Sequence, residues 1–397
     1  MDDAIGSSSK TTLDMLAEIG VGTAQQLVTS VRYANAPPGL TFIPPLDDIL
    51  LCARPHPGGS SLQRGDLIEL IGPSGAGKTT LLSFVLTTTL LPSHIDIPLP
   101  APGSHVVRVP LGGAGSHAFL LQPTSHAPMT KAIRVKMFSH IQDCILDTLS
   151  INLRPRVLTP ALKTIIQGAI HDALSRLHII RFTPRWKQLY LALSRVLHPP
   201  ELKIGTSSQM DKVRKQTVST LVIDGFGDPF WPERWAEEDK RLKRSTMPVA
   251  NGDGVGLKEI MRIIQTLRVH MGTVVYLSVQ SLWGKPTSPF FVPHLPAPYP
   301  HTFSVPRESV DERHHDTSIN IQLTLLGRVR PLQLPADLTL VNALREATAK
   351  DWTMAQHFEG IARVHGGEGA AGSLAGQKFS FKIGSLGVEV WSGPQDG

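Results

Sequence analysis

Two rhythms of apolar residues alternate along the chain. Short, nearly unbroken apolar runs occupy residues 67–71, 117–125, 178–182, 218–223 and 273–280, with the lengths and bounding residues expected of buried strands. Between them, apolar residues at three-to-four spacing predict helices: one starting near Lys78, then 129–149, 160–177, 186–197 ending before Pro199 and Pro200, and 256–272. In the last of these, Leu257, Ile260, Met261, Ile264, Leu267 and Met271 share one face, and Lys258, Arg262 and Arg268 fall largely off it. Strands alternating with helices imply βαβ crossovers, hence an α/β fold with a mainly parallel sheet flanked by helices. The runs at 319–326, 378–383 and 388–391 would extend that sheet with antiparallel C-terminal strands.

Breaks in the pattern suggest the organisation. Residues 12–31 read as one or two short amphipathic helices broken at Gly20 and Gly22, followed by Pro37, Pro38, Pro44 and Pro45. This predicts an N-terminal arm or linker over 1–45 and one core over 46–397. Stretches rich in Pro, Gly and polar residues at about 92–116, 203–217, 232–256 and 284–318 are expected to be loop insertions, and 363–376 a flexible link to the final hairpin.

The junction between the first strand and its helix carries explicit chemistry. Gly72, Pro73, Ser74, Gly75, Ala76, Gly77, Lys78 and Thr79 match G-x4-G-K-[ST], the P-loop, and Thr80 next to it completes the expected phosphate-binding segment. Glycines let successive backbone N–H groups face phosphates, Lys78 reaches the β and γ phosphates, and the Thr79 hydroxyl takes one Mg²⁺ position. The positive end of the following helix reinforces anion binding. Downstream, the apolar run 221–223 ends in Asp224, the form of a Walker B strand, whose carboxylate can hold through a water the Mg²⁺ that Thr79 coordinates. The strand 273–280 ends in Gln280, whose amide could sense a γ-phosphate; a turn-capping role accounts for it nearly as well. These residues imply ATP and Mg²⁺ as ligands.

Composition narrows the setting. The 397 residues carry a formal charge of +6, and the excess is uneven: Arg176, Arg181, Arg185, Lys187, Arg195, Lys203, Lys212, Arg214 and Lys215 stand against Glu201 and Asp211. Polyanions are plausible partners, although an ordinary solvated surface has the same charge. Cys52 and Cys144 are the only cysteines, with no metal-type spacing, so neither a disulfide framework nor a zinc site is indicated. The N-terminus lacks a secretory pattern and no apolar run reaches the roughly 18 residues needed to span a bilayer, so a soluble, intracellular protein is expected.

The order GDLIELIGPSGAGKTTLL, LYLALSRVLHPPEL, TLVIDGFGDPFW, a helix, then VVYLSVQSLW resembles the eukaryotic RecA-type recombinases, especially their paralogues. The nearest type is the X-ray repair cross-complementing one that lacks an N-terminal helical domain. Gly65-Asp66 before the first strand, Phe230-Trp231 after Asp224 and the strand ending at Gln280 carry the resemblance, which covers roughly residues 45–330. It implies a RecA-like P-loop core, ATP binding, a hetero-oligomer with another recombinase paralogue, contact with single-stranded or branched DNA directly or through that complex, and support of homologous recombination and double-strand break repair in the nucleus. The family's DNA-facing loops would fall at 231–244 and 283–318, where Phe290, Phe291, Tyr299, Phe303 and Arg307 could contact single-stranded DNA. One departure is plain. RecA-type ATPases carry a catalytic glutamate at the tip of the strand after the P-loop helix, and here that place holds Pro123, Thr124 and Ser125. Weak hydrolysis, or none, is expected unless a neighbouring subunit supplies the base.

Two rival readings use the same loop. An ABC-type transport ATPase subunit would need a signature helix and a glutamate directly after Asp224, where Gly225 stands. A P-loop small-molecule kinase would need an arginine-rich lid, for which Arg181, Arg185 and Arg195 are available, but it gives the Gln280 strand and the C-terminal hairpin no role.

Overall fold

The apolar runs lie side by side as strands, in the order that crossovers between parallel neighbours demand. The computed structural model describes residues 38–54, 59–98, 106–148, 160–198, 219–243, 255–280, 295, 299, 319–328, 339, 341–342, 356–364, 376–383 and 388–389. Along the chain come α1 (Pro44–Ala53), β1 (Leu67–Gly72), α2 (Lys78–Leu90), β2 (His94–Pro98), β3 (Val106–Pro110), β4 (Ala118–Pro123) and α3 (Thr130–Thr148). Then follow α4 (Pro160–Ser175), β5 (Leu177–Phe182), α5 (Trp186–Leu197), β6 (Thr220–Ile223), α6 (Phe230–Lys243), α7 (Leu257–Met271) and β7 (Val274–Gln280). The strands β8 (Ile321–Arg328), β9 (Gln356–Val364), β10 (Gln377–Ile383) and β11 (Val388–Glu389) come last among the described residues. One nine-stranded sheet has the order β11, β10, β9, β8, β1, β7, β6, β4, β5. Strands from β8 to β5 pair in parallel, and β9, β10 and β11 add an antiparallel wing. The protein is therefore α/β with a mainly parallel sheet flanked by helices.

Both faces of the parallel part are covered, which is why its strands are nearly all apolar. Ile68, Leu70, Val222 and Tyr276 pack on one face with residues of α1 to α4, such as Leu46, Leu82, Ile133 and Ile166. Leu67, Leu221, Val275 and Leu277 pack on the other with Leu189 and Leu193 of α5 and Ile260 and Ile264 of α7. Alternate side chains of each strand thus feed opposite cores.

Four differences from the sequence reading have physical causes. The expected insertion at 92–116 contains the antiparallel hairpin β2–β3, seated by the buried Ile95, Ile97 and Val109. The expected insertion at 232–256 begins as helix α6, which runs to Lys243. At the end assigned to the arm, Ile43 is buried and Pro44 and Pro45 open α1, proline being well suited to a first helical turn. Arg268, placed off the apolar face, is buried: its Nε donates to the Gly65 carbonyl at 2.7 Å and its Nη2 to Asn320 Oδ1 at 2.6 Å, tying α7 to the starts of β1 and β8. The helices expected at 12–31 and the insertion at 203–217 lie outside the described residues, as does most of 284–318.

Candidate functional site

The carboxyl ends of three adjacent parallel strands, β1, β7 and β6, bring the sequence-predicted residues together. After β1 the chain turns through Gly75 and Gly77, with φ of +77° and +86°, into α2 at Lys78. Such conformations cost a side-chain-bearing residue, and they give the loop the concave backbone that receives anions. Ser74, Gly75 and Thr79 are exposed, Ala76 is buried beneath them, and a Cβ at Gly75 would meet nothing within 4 Å. The Lys78 ammonium lies inside the turn, donating to the carbonyls of Gly72 at 2.7 Å and Pro73 at 2.8 Å. Burial pushes its pKa down, against the opposing charges of Asp224 and Asp228. Gln280, at the exposed tip of β7, is the register partner of Gly72.

Behind the loop stands a wall absent from the sequence reading. A Cβ on Gly77 would lie 2.9 Å from the Phe358 ring of β9, and Phe358 is buried and stacked on Phe381 of β10 at 5.4 Å between centroids. The antiparallel wing therefore braces the glycine loop.

Asp224, at the tip of β6, is only 2 % exposed and both its oxygens are engaged. Ser278 Oγ donates to Oδ1 at 2.9 Å, while Oδ2 lies 3.1 Å from His126 Nδ1 and 3.4 Å from Gln122 Nε2. The other ring nitrogen of His126, Nε2, lies 3.0 Å from Asp228 Oδ2. Burial pushes the Asp224 carboxyl up, but the bonds from His126, Ser278 and Gln122 outweigh it and hold the pKa below the usual value. The same bonds to Asp224 and Asp228 push His126 up to about 10. Gly225 makes room: at φ +69°, its Cβ would fall 2.7 Å from Asp228 Oδ2 and 2.8 Å from His126 Cε1.

Gln122, His126 and Asp228 were missed because parallel pairing of β4 with β6, rather than nearness in the chain, assembles them. The one sequence signal was the second carboxylate in DGFGD, spaced from Asp224 by turn-forming glycines. Tyr299, expected to face DNA, is instead buried, with its hydroxyl donating to the Glu69 carboxylate and its ring 5.7 Å from that of Phe226. Phe290, Phe291, Phe303 and Arg307 lie outside the described residues.

The His126 charge has a measurable signature. Its folded value near 10 stands above the ordinary 6.5, so its stabilising contribution is fully present below pH 6.5 and is lost as pH rises through 10. The melting-temperature difference between the natural protein and His126→Ala should be largest at the acid side of that window and close towards its alkaline end. A difference that does not vary with pH would mean that the ring is not charged in the folded protein.

The arrangement suits a polyphosphate: a concave backbone turn, a helix start and an ammonium converge there. Of the two residues expected to meet a divalent cation, Thr79 is exposed and Asp224 Oδ2 is bound to His126; among the described residues no group of three or more His, Cys, Asp or Glu side chains is arranged to hold a metal. Among the described residues no helix is long and apolar enough to cross a membrane. No family model matches this chain, and no curated protein matches it in sequence.

Proposed function

We propose that the protein is an ATP-binding, RecA-like recombinase paralogue that hydrolyses ATP weakly or not at all and acts in a nuclear heteromeric complex supporting homologous recombination and double-strand break repair. The observation that carries the nucleotide part is the convergence of the glycine loop, Gln280 and Asp224 at the carboxyl ends of β1, β7 and β6, the place where parallel sheets bind ligands. Gly72, Pro73, Ser74, Gly75, Ala76, Gly77, Lys78, Thr79 and Thr80 would hold the phosphates, with Gln280 beside the terminal one.

Slow hydrolysis is supported by the tip of β4, which brings Gln122 and Pro123 to the site and no carboxylate. The carboxylate that does arrive, Asp228, is tied to His126 and is a poor base for water. Loss of a general base costs roughly 10²–10⁴ in rate. The recombination part rests on the order of motifs over residues 45–330 and on the surface next to the site. There Trp235 is exposed, Trp231 lies 6.3 Å from it and Arg234 sits over the Trp231 ring, the kind of platform on which bases stack. A cleft of about 520 Å³ opens alongside, lined by residues that include Arg185, Lys187, Gln188, Pro232 and Glu233, with Arg185 3.7 Å from Glu233.

Saturating ATP, at about 100 times its Kd, should stabilise the isolated chain by roughly 2.7 kcal/mol in a thermal-shift assay, and Lys78→Ala should abolish the shift. Fast turnover by the isolated chain, abolished by Lys78→Ala, would refute the weak-hydrolysis reading. Affinity purification from native cells, followed by nuclease treatment, should recover another recombinase paralogue; recovery of a membrane permease would favour a transport ATPase.

A further inference from the structure

We propose that His126 occupies the place of the divalent cation at this site, so that the protein binds nucleotide without Mg²⁺, and a divalent ion gains Asp224 only when His126 is removed. The two ring nitrogens face carboxylate oxygens at 3.1 Å and 3.0 Å. Ionised carboxylates only accept hydrogen bonds, so both nitrogens must donate and the ring carries a full positive charge. It sits between Asp224 and Asp228, as a bridging cation would.

A divalent ion added here meets an imidazolium already seated between the two carboxylates and an Asp224 oxygen already in use. Without His126, Asp224 Oδ2 keeps the longer 3.4 Å bond from Gln122 Nε2, and Asp228 Oδ2 loses its contact with the ring.

The ring is built into its position. Arg181 Nη2 donates to the carbonyls of Thr124 at 3.0 Å and His126 at 2.6 Å, clamping the turn that carries it. Gln122 Nε2 donates to the Ala127 carbonyl at 3.1 Å from the other side. Gly225, with no side chain, leaves the space that the Cε1 edge of the ring fills.

The test has two arms on the full chain, and the first does not depend on nucleotide. Mn²⁺ alone, followed by its electron paramagnetic resonance signal, should bind His126→Ala and His126→Gln at least about tenfold more tightly than the natural protein. His126→Gln keeps a hydrogen-bond donor of similar reach without the charge, so it guards against simple collapse of the turn. Equal Mn²⁺ affinity in all three proteins overturns the proposal. The second arm rests on the nucleotide reading: ATP titrated calorimetrically should bind the natural protein equally well in EDTA and in millimolar Mg²⁺, while the variants gain dependence on Mg²⁺. If the natural protein requires Mg²⁺ for ATP, the proposal fails and the nucleotide reading stands. If no ATP binds under either condition while the Mn²⁺ difference appears, the nucleotide reading fails and the role of His126 stands.

Discussion

Replacing Glu69 with alanine lowers the free energy of unfolding by about 2–6 kcal/mol, at roughly 1–3 kcal/mol for each of the two buried polar partners it leaves unsatisfied. Glu69 lies in the middle of β1 with no exposed surface. Its carboxylate accepts from the Tyr299 hydroxyl and from Gln322 Nε2 at 2.7 Å, and Arg363 Nη1 donates to Gln322 Oε1 at 3.0 Å. Register pairs Glu69 with Gln322 and Gln322 with Arg363, so this polar row crosses β1, β8 and β9 on one face. Alanine leaves the buried Gln322 amide and Tyr299 hydroxyl facing a hole. Glu69→Gln keeps an acceptor and should cost less. The two variants also differ from the natural protein in pH response. Burial pushes the Glu69 carboxyl above its ordinary 4.5, against the Tyr299 and Gln322 bonds and the Arg363 charge. The folded chain then holds that proton more tightly than the unfolded one, so this group makes stability fall as pH rises from 4.5 through the raised value. Urea denaturation at several pH values should show that slope in the natural protein and its absence in Glu69→Gln.

Gly77→Ala is the second large effect, and Gly75→Ala is its control. Both positions are left-handed, so each alanine costs roughly 1–2 kcal/mol of backbone strain. Only at Gly77 does the new Cβ also strike Phe358, at 2.9 Å, and that ring is fixed against Phe381. Overpacking of this kind adds about 1–3 kcal/mol. Gly77→Ala should therefore be the less stable of the two by that margin in denaturant titrations, and its ATP affinity should drop at least about tenfold as the loop is displaced. Equal losses for the two variants would mean that Phe358 yields and that the wing does not brace the loop.

The parts of this fold that were legible in the sequence are those with local causes. Helix α5 has the limits its period and the following prolines predict, and β7 ends at Gln280 as its apolar run does. Lys78, Thr79, Asp224 and Gln280 stand out because each terminates or starts such an element. Strand β9 was hidden by Gly360 at its centre, where a Cβ would lie 2.5 Å from the Phe379 ring of β10; only the neighbouring strand explains that glycine. The hairpin β2–β3 was obscured by flanking prolines and glycines, although Ile95 and Ile97 already alternate with His94 and Asp96. His126 and Glu69 were illegible for one shared reason. Their partners come from strands far away in the chain, and a polar residue without visible partners reads as surface or as an exception.

The central position of β1 also sets a timetable for synthesis. Its neighbours are β7 and β8, and Leu67 and Glu69 find Asn320 and Gln322 at a separation of 253 residues. A ribosome adding about 5–20 residues per second needs on the order of tens of seconds to release that length of chain. Until β8 emerges the apolar run LIELIG can pair along one edge at most, and its carboxylate lacks Gln322. Premature termination before residue 321 would leave that strand open at one edge permanently. Newly made chains of this protein should therefore depend on chaperones until β8 emerges, and nonsense alleles that keep the whole glycine loop should still yield aggregates rather than a working fragment.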